Sequence, residues 1–238
     1  MRVYRYGAGL ALCLALGACS PPASFEKGAA AYRAQDYAGA LTQWTPLADR
    51  GDARAAAALG DLYYEGKGVE RDPAKAAHWY SLAAGRGNAG AETALGTLYM
   101  TGQGVPQDFA KAREQFAKAA AQDQALAAYD LATLYDNGQG VPADKIQAVR
   151  YYQEAAELGD DAAAMNLGVQ FANGEGAPRD MVQAYKWTAV AARRTQDPEV
   201  RSRAGANLAQ MAARMPPHDV EAGEQAAAAF KPRARAHS

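Results

Sequence analysis

Apolar and polar residues alternate along this chain with a helical spacing that returns every 36 residues. In one unit, Leu59, Leu62 and Tyr63 lie at positions i, i+3 and i+4, which places them on one face of a helix. The aromatic residue returns as Tyr99, Tyr135 and Phe171. A period of this length predicts a stacked array of similar units rather than one closed core.

Each unit is predicted to be two helices joined by a tight turn. A glycine pair, Gly66 and Gly68 in one unit, follows the first helix, and glycine adopts the left-handed conformation that ends a helix. The second helix is expected to begin at a recurring aspartate, whose carboxylate accepts hydrogen bonds from free N–H groups of the first turn. These aspartates are Asp72, Asp108, Asp144 and Asp180, and two of them have capping-box spacing with Gln147 and Gln183.

Small and bulky residues recur at fixed positions within the unit. The first helix carries a glycine, Gly60, Gly96 or Gly168, whose missing side chain lets another helix come close. Second helices carry large apolar residues that we expect to fill the space between hairpins. They are Trp79, Tyr80, Phe116, Tyr151, Tyr152 and Trp187.

The pattern divides the chain into an all-α array with atypical ends. Residues 25–52 are expected to form an incomplete repeat, in which Pro46 should kink or shorten the second helix. Four units follow at about 53–88, 89–124, 125–160 and 161–196. Capping helices are predicted at 197–230, followed by a basic, disordered tail at 231–238.

The repeated residues resemble the Sel1-like repeat, a relative of the tetratricopeptide repeat. Ala55 to Asn88 fits the pattern Ala-x-x-x-Leu-Gly-x-x-Tyr-x-x-Gly-x-Gly-Val-x-x-Asp at nearly every position, continuing to the Ala-Ala pair and the last glycine. Later units depart from it at Gln115, Ala132, Ala177 and Thr188. The resemblance implies a right-handed α-α superhelix, or solenoid, that binds protein partners, and it implies no chemistry.

The pattern of residues 1–18 is typical of an export signal. Arg2 and Arg5 precede an apolar run that is too short to span a bilayer as a helix. Leu16-Gly17-Ala18-Cys19 resembles a bacterial lipobox, which implies cleavage before Cys19 and lipid on its sulfur. Residues 19–24 then form a tether. Since Ser20 is not aspartate, sorting of such lipoproteins implies a periplasm-facing protein at the outer membrane of the cell envelope. Ordinary cleavage after Ala18 or Ser20, and a retained anchor, are the alternatives.

Composition and residue spacing exclude several classes of function. Removing residues 1–18 takes Arg2 and Arg5 from 25 basic residues and none from 26 acidic residues, so the remaining chain is slightly acidic, which argues against nucleic acid. Cys19 would be its one cysteine, which excludes an internal disulfide. The histidines are not at metal-ligand spacing, and no serine lies in a Gly-x-Ser-x-Gly turn. We therefore predict no metal, no cofactor and no catalytic site.

The positions at which the repeat fails to repeat predict a binding surface. Residues at 54, 58, 61 and 65 and their equivalents share a helix face opposite the Leu/Tyr stripe. In curved helical arrays one set of helices lines the concave face. Including two bordering residues, the predicted partner-binding set is Asp61, Tyr64, Glu65, Thr97, Met100, Thr101, Asp130, Thr133, Asn137, Asn166 and Asn173.

These observations favour a non-enzymatic scaffold that recruits or regulates a protein or peptide partner in the cell envelope. Two alternatives remain open at this point. One is a glycan- or peptidoglycan-binding module, which exposed aromatic side chains on the predicted surface would favour, whereas Asp, Thr and Asn would favour protein. The other is a cell-wall or β-lactam hydrolase. The predicted surface is also compatible with an ordinary solvated helix face.

Overall fold

A computed structural model describes residues 23–233, in which twelve helices and no strand are found. The predicted signal, Cys19 and tail residues 234–238 lie outside the described range. The leading hairpin is α1 (Phe25–Arg33) and α2 (Tyr37–Asp49), and the last two helices are α11 (Pro198–Ala212) and α12 (Pro217–Ala229). Between them lie α3 (Ala53–Glu65), α4 (Pro73–Ala84), α5 (Ala89–Thr101), α6 (Phe109–Ala120), α7 (Ala125–Asn137), α8 (Lys145–Glu157), α9 (Asp161–Asn173) and α10 (Met181–Arg194).

From α1 to α11 the helices pack mainly in chain order, each against its neighbours in the chain, whereas α12 packs on α10; the all-α solenoid is thereby confirmed. Helices α3, α5, α7 and α9 are called first helices below, and α4, α6, α8 and α10 second helices. The first helices α3 and α5 also contact each other, whereas no pair of second helices is in comparable contact. First helices therefore lie on the inner side of the array. Within residues 23–233, no helix has the length and apolar character needed to cross a bilayer.

The glycine turns follow the prediction and also join neighbouring units. Gly66, Gly102, Gly138 and Gly174 end their helices in the left-handed conformation. The second glycine of each turn also has positive φ, +73° at Gly104. A Cβ atom there would overlap the carbonyl of Pro73 and lie 2.6 Å from the backbone nitrogen of Ala74. The second glycine therefore lets the turn pack on the start of the previous unit's second helix.

The recurring aspartates cap the second helices as predicted. Asp72 Oδ1, for example, accepts hydrogen bonds from the N–H groups of Ala74 (3.1 Å) and Lys75 (2.9 Å). The expected capping boxes at Gln147 and Gln183 are not completed. The N–H of Asp144 donates instead to the carbonyl of Tyr135 (2.9 Å), and that of Asp180 to Phe171 (3.0 Å). The carbonyl of the recurring aromatic thus takes the place of the glutamine side chain.

Tyr80 and Phe116 fill space within their own hairpins, which the expectation that bulky residues fill the space between hairpins did not include. A Cβ atom on Gly96 would lie 2.6 Å from the Phe116 ring, and one on Gly60 would lie 2.5 Å from the Tyr80 ring. Each ring therefore occupies the volume that the glycine of its own hairpin leaves free. In the fourth unit Thr188 replaces the ring and faces Gly168.

Both ends of the array differ from the sequence prediction. Helix α2 runs for 13 residues and is not shortened by Pro46, which lies in its last turn and leaves a single helical hydrogen bond, to the carbonyl four residues earlier, unformed. Residues 231–233, assigned to the disordered tail, are held against the array. The N–H of Arg233 donates to the Glu157 carbonyl (2.7 Å), and its guanidinium donates to Asp123 (2.9 Å). Phe230, just before these residues, packs on Trp187 with ring centroids 5.2 Å apart, which places the following residues beside the array.

Candidate functional site

The two sets of helices carry opposite charge. The first helices contain six acidic residues and one basic residue, Arg54. The second helices contain nine basic residues and three acidic ones. The acidic residues of the first helices are Asp61, Glu65, Glu92, Asp130, Asp136 and Asp161. The predicted binding surface therefore lies on the acidic side of the array, which the overall charge of the chain does not reveal.

An apolar pocket of about 240 Å³ opens between the first helices α3, α5 and α7. Its lining residues are Tyr64, Tyr80, Gly90, Thr93, Ala94, Thr97, Leu98 and Leu126. Leu126 is 54% exposed. Gly90 stands at the repeat position of Arg54 and Leu126, and a Cβ there would approach only the Asn88 side chain, at 3.4 Å. The missing side chain of Gly90 leaves this wall open.

Asp61 is joined to the pocket through Tyr80. The Tyr80 hydroxyl donates a hydrogen bond of 2.7 Å to Asp61 Oδ1. Asp61 is exposed as a residue, but partial desolvation of its carboxyl raises the pKa, and this effect exceeds the lowering by the Tyr80 hydrogen bond. Burial and the nearby Asp61 charge also raise the pKa of Tyr80. The phenol therefore stays protonated and its hydrogen bond is committed to Asp61.

Asp130 lies one helical turn from Leu126 on α7 and is half-buried. Burial, together with the nearby Asp160 carboxylate, raises the pKa of its carboxyl to about 6. Within residues 23–233 no basic side chain forms an ion pair with Asp130. The carboxylate is therefore poorly hydrated and lacks a neutralising cation.

The threonines of the predicted binding set use their hydroxyl protons within their own helices. The hydroxyls of Thr97, Thr101 and Thr133 each donate to the carbonyl four residues earlier, at 2.8 to 3.1 Å. Each still has a lone pair to accept a hydrogen bond, but its methyl group is the other contact it offers. The threonines therefore make this face less polar than their residue type suggests.

The other predicted residues are spread along the face. Met100 is partly buried against the core, and Asn166 is half-buried beside the Tyr152 hydroxyl. The remaining three lie at the carboxyl ends of their helices: Glu65 pairs with Lys67 (2.6 Å), Asn173 donates to Glu175 (3.1 Å) and Asn137 is exposed. The structure thus brings Tyr64 and Thr97 into one pocket, with Asp61 and Asp130 nearby, and leaves the others outside it.

Sequence reasoning missed most of the pocket. Gly90 and Leu126 lie at a position recognised as part of the variable stripe, yet an uncharged residue there did not suggest binding. Tyr80 was assigned to the core, and it is 4% exposed, but its ring edge also lines the pocket. Exposure of an apolar residue at an otherwise variable position is the signal that would have identified Leu126.

In 23–233 no group of three or more His, Cys, Asp or Glu side chains is arranged to hold a metal ion. The absence of cofactor, metal and catalysis stays a prediction.

Comparisons with known proteins agree on the repeat. A family model described as Sel1 repeat matches residues 53–88, 89–124, 125–160 and 161–195. The crystal structure of a Sel1 repeat protein from Oxalobacter formigenes is 27% identical, with a TM-score of 0.73, over 87% of this chain and 86% of that one. A protective antigen of uropathogenic Escherichia coli strains, displaying an SLR fold, is 27% identical with a TM-score of 0.73, over 85% of this chain and 45% of that one. No curated protein matches the chain. Since the family model covers more than half of its residues, the chain belongs to the Sel1 repeat family.

Proposed function

We propose that this chain is a non-enzymatic scaffold that binds a protein or peptide partner on its first-helix face. Sel1 repeat proteins are generally protein-interaction scaffolds. The observation that carries the proposal for this chain is the apolar pocket between α3, α5 and α7, with the exposed Leu126 beside it. An exposed apolar side chain at a concave site is typical of a surface that a partner covers.

The aromatic residues at the pocket support a protein partner over a glycan. Glycan recognition favours an exposed aromatic face, but the Tyr80 side chain is buried and its hydroxyl is bonded to Asp61. Tyr64 is half-buried, and the Arg71 guanidinium lies 5.4 Å from its ring centroid. Neither ring therefore offers a free platform on which a sugar could stack.

Photo-cross-linking in cells tests the scaffold function. Leu126 is replaced by the photoreactive amino acid benzoylphenylalanine, and the captured material is identified by mass spectrometry. The matched control places the same amino acid at Leu82, which is also exposed but lies on the second helix α4. We expect a protein adduct from position 126 and none from position 82. Recovery of peptidoglycan fragments alone at 126 would overturn the proposal, as would turnover of a β-lactam or muropeptide by the purified chain.

We further propose that the scaffold is tethered by lipid on Cys19 and faces the periplasm from the outer membrane. The support is the lipobox resemblance of residues 16–19 and the signal-like residues before it. Cys19→Ala should move the protein out of the membrane fraction, whereas Cys13→Ala, in the apolar run of the signal, should leave it there. Membrane retention of the Cys19→Ala protein would show that the anchor is something else.

A further inference from the structure

We propose that the pocket between α3, α5 and α7 receives one apolar side chain from a partner segment in which lysine or arginine flanks that side chain. This inference rests on the proposed function, because it names the chemistry of the partner that the first-helix face binds. It is carried by three observations: the size of the pocket, the character of its walls and the charges around it.

The size of the pocket suits a single side chain. Its volume of about 240 Å³ lies below the range of roughly 300–1,000 Å³ that is usual for sites of small molecules. A pocket of this size, open to a broad surface, is typical of the place where one apolar anchor of a larger partner is buried. The exposed Leu126 beside it extends the apolar contact beyond the anchor.

The walls offer apolar contacts and few free donors. The hydroxyls of Thr93 and Thr97 donate to the carbonyls of Ala89 (2.9 Å) and Thr93 (3.1 Å), so their methyl groups are the main contacts left for a ligand. The Tyr80 hydroxyl donates to Asp61. No charged side chain lines the pocket. A polar or charged side chain would lose its hydration here without gaining equivalent hydrogen bonds.

The carboxylates near the pocket favour a partner that carries positive charge. Asp61 lies on the α3 side and Asp130 on the α7 side, and within 23–233 neither forms an ion pair. The one basic residue of the first helices, Arg54, lies near Asp52 (3.8 Å) and over the Phe25 ring. The Lys67 ammonium acts on Asp61 at a distance but forms its ion pair with Glu65, so a lysine or arginine beside the anchor would be the direct ion-pair partner of both carboxylates.

Basic side chains also approach from the turn after α3, and they are already engaged. Lys67 pairs with Glu65 at 2.6 Å. Arg71 donates to the Tyr64 carbonyl and to the Gln103 side chain, both at 3.0 Å. These contacts leave Asp61 and Asp130 as the charges available to a partner at the pocket.

Gly90 offers a way to close the pocket without disturbing the core. It is exposed, its φ is in the ordinary range and a Cβ would meet only the Asn88 side chain at 3.4 Å. Gly90→Leu should therefore place a side chain in the opening and leave the fold intact. Ala162→Leu, at the same repeat position in the fourth unit, adds the same side chain away from the pocket and is the matched control.

Fluorescence polarisation with three labelled hexapeptides tests the inference on the purified full chain. One peptide has a central leucine flanked by lysines, the second has leucine flanked by glutamates, and the third has serine flanked by lysines. We expect the lysine-flanked leucine peptide to bind about tenfold more tightly than the other two, with the difference from the glutamate peptide shrinking at high salt. Gly90→Leu and Asp130→Asn should each weaken it several-fold, whereas Ala162→Leu and Glu114→Gln, on the second helix α6, should not.

Equal binding of the three peptides, no binding of any, or unchanged binding by Gly90→Leu would overturn the inference. These results are distinguishable from failure of the scaffold function. If position 126 captures a protein in cells while Gly90→Leu binds the lysine-flanked leucine peptide like the wild type, the scaffold stands and the pocket assignment fails. If position 126 captures no protein, the scaffold function itself fails.

Discussion

Asp130 carries a negative charge at a place where the fold removes part of its water. Burial raises the pKa of its carboxyl to about 6, and the Asp160 carboxylate acts in the same direction. In the unfolded chain the carboxyl titrates near its ordinary value of 3.8. The folded state therefore holds the proton more tightly, and ionisation of Asp130 lowers the free energy of unfolding.

The sign of this effect predicts the pH dependence of a variant. Below about pH 4 the Asp130 carboxyl is protonated in both the folded and the unfolded chain, and the free energy of unfolding has its full value. As the pH rises through about 6 the carboxyl ionises in the folded chain and this part of the free energy of unfolding is lost. Asp130→Asn should therefore be more stable than the wild type at pH 7.5, by about 2 kcal/mol, and the two should converge near pH 4. Urea unfolding at both pH values measures the difference.

Asp108 provides the control for that prediction. The Lys111 backbone N–H holds the pKa of its carboxyl below the ordinary value, so its charge stabilises the fold. Asp108→Asn should be slightly less stable than the wild type at pH 7.5, a change of opposite sign. If both variants shift in the same direction, hydration of Asp130 is not the cause.

Residues that repeat were predictable, and those that depart from the repeat were not. The aspartate caps follow from local chemistry, since the carboxylate bonds to N–H groups two or three residues away. Gln170 stands where other units have leucine and is buried, with its amide donating to Asp136 at 3.0 Å and its Oε1 unpartnered within 23–233. Its burial depends on Asp136, which lies 34 residues earlier in the chain, so the sequence of helix α9 alone does not reveal it.

At the scale of the element, the two glycines of each turn have different tasks. Gly102 ends α5 at φ +71°, where an added Cβ would meet no atom closer than Gln107 Cβ at 3.3 Å. Gly104 has φ +73°, but its Cβ would overlap the backbone of Pro73. The first glycine therefore meets a conformational requirement, and the second meets a conformational and a packing requirement.

Alanine substitutions should separate these two requirements. Gly102→Ala should lower the free energy of unfolding by about 1 kcal/mol, from positive φ alone. Gly104→Ala should lower it by about 3 kcal/mol or more, because the helix backbone in its way is less able to yield than a side chain. Chemical denaturation of the two variants under identical conditions gives the comparison. Equal losses would mean that the turn moves away from α4 at little cost.

Helix boundaries could be predicted because each is set by residues inside one unit. The pocket could not, because it needs three neighbouring hairpins: α3 supplies Tyr64, α5 supplies Gly90 and α7 supplies Leu126. The sequence also did not reveal which ring occupies the space beside each first-helix glycine, for a related reason. A glycine indicates that something comes close, but the residue itself does not say whether the neighbour belongs to the same hairpin or the next one.

At the scale of the molecule, the carboxyl end covers the last unit. Helix α12 packs on α10, and Gly223 admits the Tyr185 ring. Phe230 then covers Trp187, which is buried, and Arg233 reaches back to Asp123. The end of the chain thus connects the second unit, through Asp123, and the third, through Glu157, with the fourth as well as closing the array.

Truncation after Ala229 should loosen the array locally. Removing Phe230 uncovers Trp187, and removing Arg233 deletes its bonds to Asp123 and Glu157. In a stack of units that contact mainly their neighbours, the effect should stay near its source. Hydrogen exchange should speed up in α8 and α10 and stay unchanged in α3 and α5. Truncation after Arg233 keeps these contacts and should match the wild type; loss of protection across the whole array would show that it unfolds as one unit.

The separation of acidic first helices from basic second helices gives the array an electric dipole moment across its short axis. A dipole turns in an electric field before any contact is made, and the field of a charged surface reaches about 8 Å into a solution of physiological salt. Beside an anionic surface, we therefore expect the second helices to face that surface and the first helices to face away from it. The repeat then determines orientation as well as shape, because it leaves the side that holds the pocket facing the solution.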